Sequence, residues 1–411
     1  MVMMMNVVQY ENKNTTNFRI YFDPKCDLHL SVVNRLVDKP CRTKNSIAYL
    51  QRIFDNNSFY KGELATEEII LTFHTQLYLY HIQYYHQQLT EQEQSGLGFQ
   101  CHDIGTLGPS FMDIYSYDAA LAAVGTAMKA VKDCLDLIID KHKYTAFVLV
   151  RPPGHHAHTN KTHGMCIFNN VAITALFLIE KGYHVVVLDF DTHHGDGISE
   201  GLKKNKNVFI GGTYEKDQAP ALNDNPMDDT FITNNSKFSL KPLPKNCNSN
   251  EFHWNWANIM LDSSAWVNSK KSTTLNATLD KPIFVLIAAG FDGHVNEKIA
   301  SCKLQYNDYA IVTRRILQFC KDFHSPCVSV LEGGYNIDIL PFCIEAHLKE
   351  MSHYSNTGHI SSSIPEFNLT TEYEQPVAHQ PIAQQITRSG RISKTTVQRN
   401  EINFRGNESC L

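Results

Sequence analysis

Four short segments carry most of the residues able to do chemistry: Arg151-Pro152-Pro153-Gly154-His155-His156, Asp189-Phe190-Asp191-Thr192-His193-His194-Gly195-Asp196-Gly197, Ala289-Gly290-Phe291-Asp292 and Glu332-Gly333-Gly334-Tyr335. Asp189, Asp191 and His193 are spaced by two, so an extended segment would turn all three to one side. Asp191 and His193 make a pair of metal ligands, and Asp292 completes a set of three. Three protein ligands leave one position open for water or substrate, the mark of a catalytic rather than a structural zinc. Pro152-Pro153 stiffens the approach to His155-His156, and Gly154 permits an unusual backbone angle. Two imidazoles are thus held in a fixed pose, with Asp189 and Asp196 as carboxylates that would set their tautomers and raise their basicity. Tyr335, after two glycines, presents a phenol able to donate to a developing oxyanion. Taken singly, each residue reads equally as a helix cap, a loop hydrogen bond or a turn tyrosine.

What joins the four segments is the element before each. Residues 146–150, 185–190, 283–287 and 328–331 are short apolar runs that read as buried strands, and 208–210 reads as another. Helical patterns lie between them. Ser116 caps a helix running through Ala119, Ala123, Ala127, Val131 and Leu135, and further helices are expected over 171–180, 251–267 and 309–323. Strands apolar on both faces, alternating with helices, predict a parallel sheet covered on both sides. In open α/β folds, sites form at the carboxyl ends of the strands. The four segments are therefore expected to converge on one sheet edge.

Composition narrows the class. The chain has 411 residues, with 37 Lys+Arg against 42 Asp+Glu and a net charge of −5, which disfavours nucleic-acid binding through bulk charge. Its 11 cysteines include no CxxC pair, so neither a disulfide framework nor a thiolate zinc site is expected. No apolar run reaches the length of a membrane span, and residues 1–10 do not read as a signal or transit peptide. Among 20 histidines, His194 is read as packing locally. His158 and His163 invite a second metal site, but their polar loop argues against it. Residues 351–411 are polar and rich in Pro, Gln, Ser and Thr. They read as a poorly ordered tail behind a catalytic domain over 1–350. The tail carries a small basic patch, Arg388, Arg391, Lys394 and Arg399, read either as a solvated linker or as a contact for an acidic partner.

The four segments, together with Gly164-Met165-Cys166-Ile167-Phe168-Asn169-Asn170, resemble the histone deacetylase family, nearer its class II and acetylpolyamine amidohydrolase branches. The resemblance spans about residues 18–350. It implies an arginase/deacetylase-like three-layer α/β fold: a central, mostly parallel sheet, helices on both faces, and an active site at the strand C-terminal ends. It implies zinc-dependent hydrolysis of acetyl-lysine amides in proteins, with Asp191, His193 and Asp292 as zinc ligands. Carried over in the same way, His155 and His156 are the paired histidines, Asp189 and Asp196 their carboxylate partners, and Tyr335 the oxyanion donor. His156 is the chosen general base. Asp103 resembles a rim aspartate that holds the substrate backbone. Gly164 and Met165 match the wall of the acyl-lysine channel, and Gly333 and Gly334 line the substrate site. A monovalent cation, K+, is implied near Asp189.

There are departures. Met165 stands where the family usually has Phe. The stretch Lys216 to Thr233 is unfamiliar, leaving the second channel wall unassigned. His29 and Pro40 match the family's opening loop only in part. The expected partner is an acetylated protein, histone tails included, met in the cytoplasm or nucleus; neither direct nucleic-acid binding by the core nor membrane association is expected. Two other readings stand beside this one: a deacetylase of acetylpolyamines or other small molecules, and a binding protein with a dead site. The last predicts a lost ligand or a lost tyrosine, and none is lost.

Overall fold

The structure is a computed structural model that describes residues 17–30, 38–95, 102–104, 110–137, 141–216, 237–270 and 281–362. Its centre is an eight-stranded sheet. Its strands are β1 (Phe18–Phe22), β2 (Phe59–Lys61), β5 (Thr145–Leu149), β6 (His184–Asp189), β7 (Val208–Glu215), β8 (Phe238–Leu243), β9 (Ile283–Ala289) and β10 (Cys327–Leu331). Their order is β2-β1-β5-β10-β9-β6-β7-β8, and every neighbouring pair runs parallel. The remaining strands, β3 (His102–Asp103) and β4 (Phe111–Met112), form a small antiparallel hairpin.

Side-chain alternation explains the layers. Val185 and Val187 of β6 point into one apolar cluster, and Val186 and Leu188 into another on the opposite face. The first cluster packs against α4 (Ser116–Leu137) and α5 (Asn170–Glu180). The second packs against α7 (Ser249–Lys270), α8 (Tyr306–Asp322) and α9 (Leu340–Thr357). Helices therefore cover both faces, as the continuous apolar strands predict. The shorter helices are α1 (Cys41–Leu50), α2 (Glu67–Ile70) and α6 (Asp196–Leu202); α3 (Gln76–Gln94) is long. No helix among the described residues is long and apolar enough to cross a membrane.

The functional consequence lies in the strand order. β5, β10, β9 and β6 are consecutive neighbours, about 4.8 Å apart, and the four chemistry-bearing segments follow directly on their carboxyl ends. One expected boundary moves. The last helix runs past residue 350 to Thr357, because Met351 and Tyr354 are buried in the core and Ser355 donates to the Lys143 carbonyl at 2.6 Å. Gly358, at φ 71°, then closes the helix by donating its N–H to the Tyr354 carbonyl. The remainder of the expected tail, from 363 onward and including Arg388, Arg391, Lys394 and Arg399, lies outside the described residues.

Candidate functional site

Strand β6 ends at Asp189, and the chain bends rather than continuing extended. Asp191 N–H donates to Asp189 Oδ1 at 3.0 Å, and His193 N–H to Asp191 Oδ1 at 2.9 Å. The extended backbone that the even spacing assumes therefore stops at Asp189, yet Asp189 and Asp191 both reach His155, Asp189 Oδ2 at 3.1 Å from its Nδ1 and Asp191 Oδ2 at 3.8 Å from its Nε2, while Asp191 and His193 share a further partner. That partner is Asp292, beyond β9. His193 Nδ1 lies 2.9 Å from both Asp191 Oδ1 and Asp292 Oδ2. Backbone N–H groups hold each carboxylate, Gly333 on Asp191 Oδ2 at 2.8 Å and Thr192 on Asp292 Oδ1 at 3.1 Å.

The donor set fits a divalent ion. One ligand atom from each of Asp191, His193 and Asp292 lies within 4.8 Å of the others. The two carboxylates are 1% and 0% exposed. Two buried negative charges facing one imidazole demand a cation. Without an ion, protons carry part of that charge. Burial opposes charge on His193, yet Asp191 and Asp292 outweigh it and lift the ring well above its ordinary range. Burial and the neighbouring Asp191 raise Asp292, while Asp191, despite burial, is held low by His155 and His193. Glycine at 290 and 333 is a matter of space: a Cβ on Gly290 would stand 2.1 Å from Asp191 Oδ2, and one on Gly333 2.4 Å from Asp191 Oδ2 and 2.5 Å from Asp292 Oδ2.

The histidine pair sits beside this cluster, with ring centroids 4.0 Å apart. His155 Nδ1 lies 3.1 Å from Asp189 Oδ2, and His156 Nδ1 2.6 Å from Asp196 Oδ1. The two rings are pushed apart in basicity. Burial and the charge of His155 depress His156 to about 3. His155 is also buried, but Asp191 and Asp189 raise it to about 10. Glu332 fixes their loop, its Oε2 accepting from Gly154 N at 2.6 Å and His155 N at 3.0 Å. Burial raises that carboxyl to about 7.

His158 and His163 are not loose loop residues. Both are buried, and both reach Asp196 Oδ2, His158 Nε2 at 2.7 Å and His163 Nδ1 at 2.9 Å. His194 does behave locally, its Nε2 3.0 Å from Ser199 Oγ.

Tyr335 is half-buried, and burial pushes its phenol well above the ordinary range, so it remains a proton donor at any physiological pH. Glu297 pins its backbone, accepting from Tyr335 N at 2.7 Å and Asn336 N at 2.8 Å. The Arg42 guanidinium lies 4.5 Å from the Tyr335 ring centroid and donates to the Gly334 carbonyl at 2.6 Å and to the Glu332 carbonyl. Asp38 neutralises both Arg42 and the buried Arg151. Sequence reasoning assigns no role to Arg42, Asp38 or Glu297. For Arg151 and Glu332 a signal exists, since each is a charge directly beyond an apolar strand.

The rim is less complete. Asp103 is exposed on β3, where its Oδ1 accepts from Ser110 N at 3.3 Å. The hairpin is tied to the histidine loop by Thr162, whose hydroxyl donates to the Ile104 carbonyl at 2.8 Å. Gly164, at φ 53°, lies flat on His156: a Cβ there would meet His156 Cδ2 at 2.6 Å. Met165 is half-buried at φ 68°, a left-handed angle uncommon for a side chain of this kind. Of the unfamiliar stretch 216–233, all but Lys216 lies outside the described residues.

A family model described as "Histone deacetylase domain" matches residues 36–351. The chain belongs to the histone deacetylase family. Among its relatives in that family, Type-2 histone deacetylase 2 of Dictyostelium discoideum is 30% identical over 302 residues, 65% of this chain and 16% of that protein. Histone deacetylase 6 of Caenorhabditis elegans is 27% identical over 356 residues, 81% of this chain and 33% of that protein. Polyamine deacetylase HDAC10 of Danio rerio is 26% identical over 67% of this chain and 38% of its own length. The chain thus aligns to well under half the length of these relatives. Among solved structures, the HD domain of HDA15 superposes with a TM-score of 0.67 at 21% identity, covering 82% of this chain and 90% of that one. An acetylpolyamine aminohydrolase from Burkholderia pseudomallei superposes at 0.65 and 19%, covering 80% and 98%. The fold is therefore the three-layer deacetylase type expected from the sequence.

Proposed function

We propose that this histone deacetylase-family chain hydrolyses the amide of acetyl-lysine in proteins, using one zinc ion held by Asp191, His193 and Asp292. The observation that carries the reading is the meeting of those three ligand atoms within 4.8 Å beside two carboxylate-bound histidines. Bound there, zinc would polarise the acyl carbonyl and lower the pKa of water from 15.7 towards about 7. His156 is neutral at pH 7, and with Nδ1 committed to Asp196 its Nε2 is free to take a proton from the attacking water. His155, whose Nδ1 faces the Asp189 carboxylate at 3.1 Å, is the candidate donor to the departing lysine amine. Rings whose environments drive their pKa values apart divide naturally into base and acid. Tyr335 donates its phenol proton in a hydrogen bond to the oxyanion. Arg42 and Glu297 hold the tyrosine's backbone so that the phenol keeps its place.

Gly164 and Met165 form one wall of the acyl-lysine channel, Gly333 and Gly334 its floor, and Asp103 the rim that holds the substrate backbone. A K+ ion beside Asp189 belongs to the same proposal. A cavity of about 10 Å³ there, room for about one water-sized occupant, is lined by Asp189, His194, Ser199 and Thr213 on one side and by the apolar Ile198, Ile210 and Leu240 on the other. Residues 1 to about 350 form the catalytic domain in this reading, its last helix continuing to Thr357. Histone tails are the substrates the relatives' names suggest, which places the protein in the cytoplasm or nucleus.

Acetylpolyamines are the second reading, because a polyamine deacetylase and an acetylpolyamine aminohydrolase are both among the similar proteins. The test incubates purified protein with an acetyl-lysine peptide and with acetylspermidine, each with and without chelator. Chelator-sensitive turnover of the peptide is expected. Turnover of acetylspermidine alone transfers the assignment to the small molecule, and no turnover of either at any zinc loading from one ion per chain upward overturns both.

A further inference from the structure

Asp196 carries more imidazoles than proton transfer requires. One partner, His156, would be enough to fix a ring. Instead His156 Nδ1 lies 2.6 Å from Oδ1, and His163 Nδ1 and His158 Nε2 lie 2.9 and 2.7 Å from Oδ2. All four side chains are buried, with residue exposures of 7% or less. The ligand atoms of His156, His163 and Asp196 lie within 4.8 Å of one another, the same closeness found for Asp191, His193 and Asp292. Two imidazole nitrogens and a carboxylate oxygen are a donor set for zinc and other late first-row divalent ions. A further negative group stands close by: Glu200 Oε2 is 3.9 Å from His158 Nδ1, buried and without a hydrogen-bond partner.

We propose that His156, His163 and Asp196 form a second divalent-metal site, separate from the Asp191–His193–Asp292 cluster, with His158 adjacent as a fourth ligand. Metal at this site takes the Nδ1 lone pairs of His156 and His163. Each neutral ring then carries its single proton on Nε2 instead of Nδ1. No electron is transferred, and the site gains only the charge of the ion. For His156, Nε2 is the nitrogen that accepts the water proton in the reaction proposed above. Occupation of the second site therefore switches the base off, and excess metal inhibits. This inhibitory consequence rests on the deacetylase reading; the existence of the site does not.

The experiment counts metal. The chelated full-length protein is loaded with Zn2+ alone, freed of unbound metal, and assayed for zinc per chain by emission spectroscopy. About two ions are expected in the wild type, and about one in either Asp292→Asn or His163→Gln. Cobalt replacement in Asp292→Asn reads the second site alone by its visible bands, which keeps the test decisive should His163→Gln fail to fold. In the wild type, excess zinc should suppress peptide turnover; in His163→Gln it should not. A wild-type count of one with normal turnover, or no metal in Asp292→Asn, overturns the second site and leaves the deacetylase reading standing. A single ion retained by Asp292→Asn but lost from His163→Gln sustains the second site and overturns the first.

Discussion

Tyr335 offers a clean separation of chemistry from architecture. Its hydroxyl carries the proposed role, while its ring and backbone are held by Arg42 and Glu297. Tyr335→Phe keeps the ring over the guanidinium and removes only the donor. Turnover is expected to fall by roughly 10²–10³-fold with unchanged metal content and little change in thermal midpoint. Full activity in steady-state assays would refute the oxyanion role. The same scale shows what spacing hides. Asp191, His193 and Asp292 are legible because each is a ligand-type residue at the end of an apolar strand. Arg42 is not, because it lies inside α1 and its partners, the Gly334 and Glu332 carbonyls, are 292 and 290 residues away. A buried cation answered by distant backbone carbonyls leaves no local pattern. His158 and His163 mislead for a related reason. A polar loop looks exposed until one knows that Asp196 draws its histidines inward.

At the scale of elements, glycines separate crowding from backbone strain. Gly333 follows Glu332 in the loop after β10, and an added Cβ would sit among the Asp191 and Asp292 oxygens. Gly333→Ala is expected to displace those carboxylates and cost both bound zinc and turnover. Gly182, at φ 90°, has nothing within 4 Å of such a Cβ. Gly182→Ala should therefore cost only the penalty of a left-handed angle, about 1–2 kcal/mol, and leave zinc content unchanged. Metal analysis beside a denaturation curve for each variant checks the contrast. Strands β5, β6, β9 and β10 are readable because both faces are apolar. β1 is not, because Arg19 interrupts Phe18–Phe22, and its charge is answered by Asp133 on α4, 114 residues away. β8 is masked by Lys241 and Pro242, which sit at the sheet edge where polar residues and proline are tolerated.

At the scale of the molecule, buried neutral histidines tie stability to pH. His29, His74 and His347 are each pushed down to about 3, in every case chiefly by burial. In the unfolded chain they titrate near 6.5. Between about 3 and 6.5 the unfolded state therefore binds more protons, so stability is present above pH 6.5 and is lost as pH falls through that window. His155 has the opposite sign. Raised to about 10, it acts above pH 6.5 and does not contribute to the acid slope. Denaturant midpoints at pH 7 and pH 5 should show the loss. His347→Gln, which removes a ring between Thr313 and Ser329, should flatten it; an unchanged slope would mean that another group carries the acid sensitivity.

The position of β10 also has a consequence for how the protein comes into being. Among the described residues it is the last strand of the sheet in chain order, yet it occupies the gap between β5 and β9. Until Cys327–Leu331 has left the ribosome, the strands bearing the histidine pair and those bearing Asp191 and Asp292 share no hydrogen-bonded edge. In the folded sheet, β10 is the one hydrogen-bonded link between the β2-β1-β5 strands and the β9-β6-β7-β8 strands, and so between the two halves of the candidate site. A chain truncated before Cys327 is therefore expected to lack the strand that joins Asp191, His193 and Asp292 to the histidine pair, and to show neither activity nor a native thermal transition.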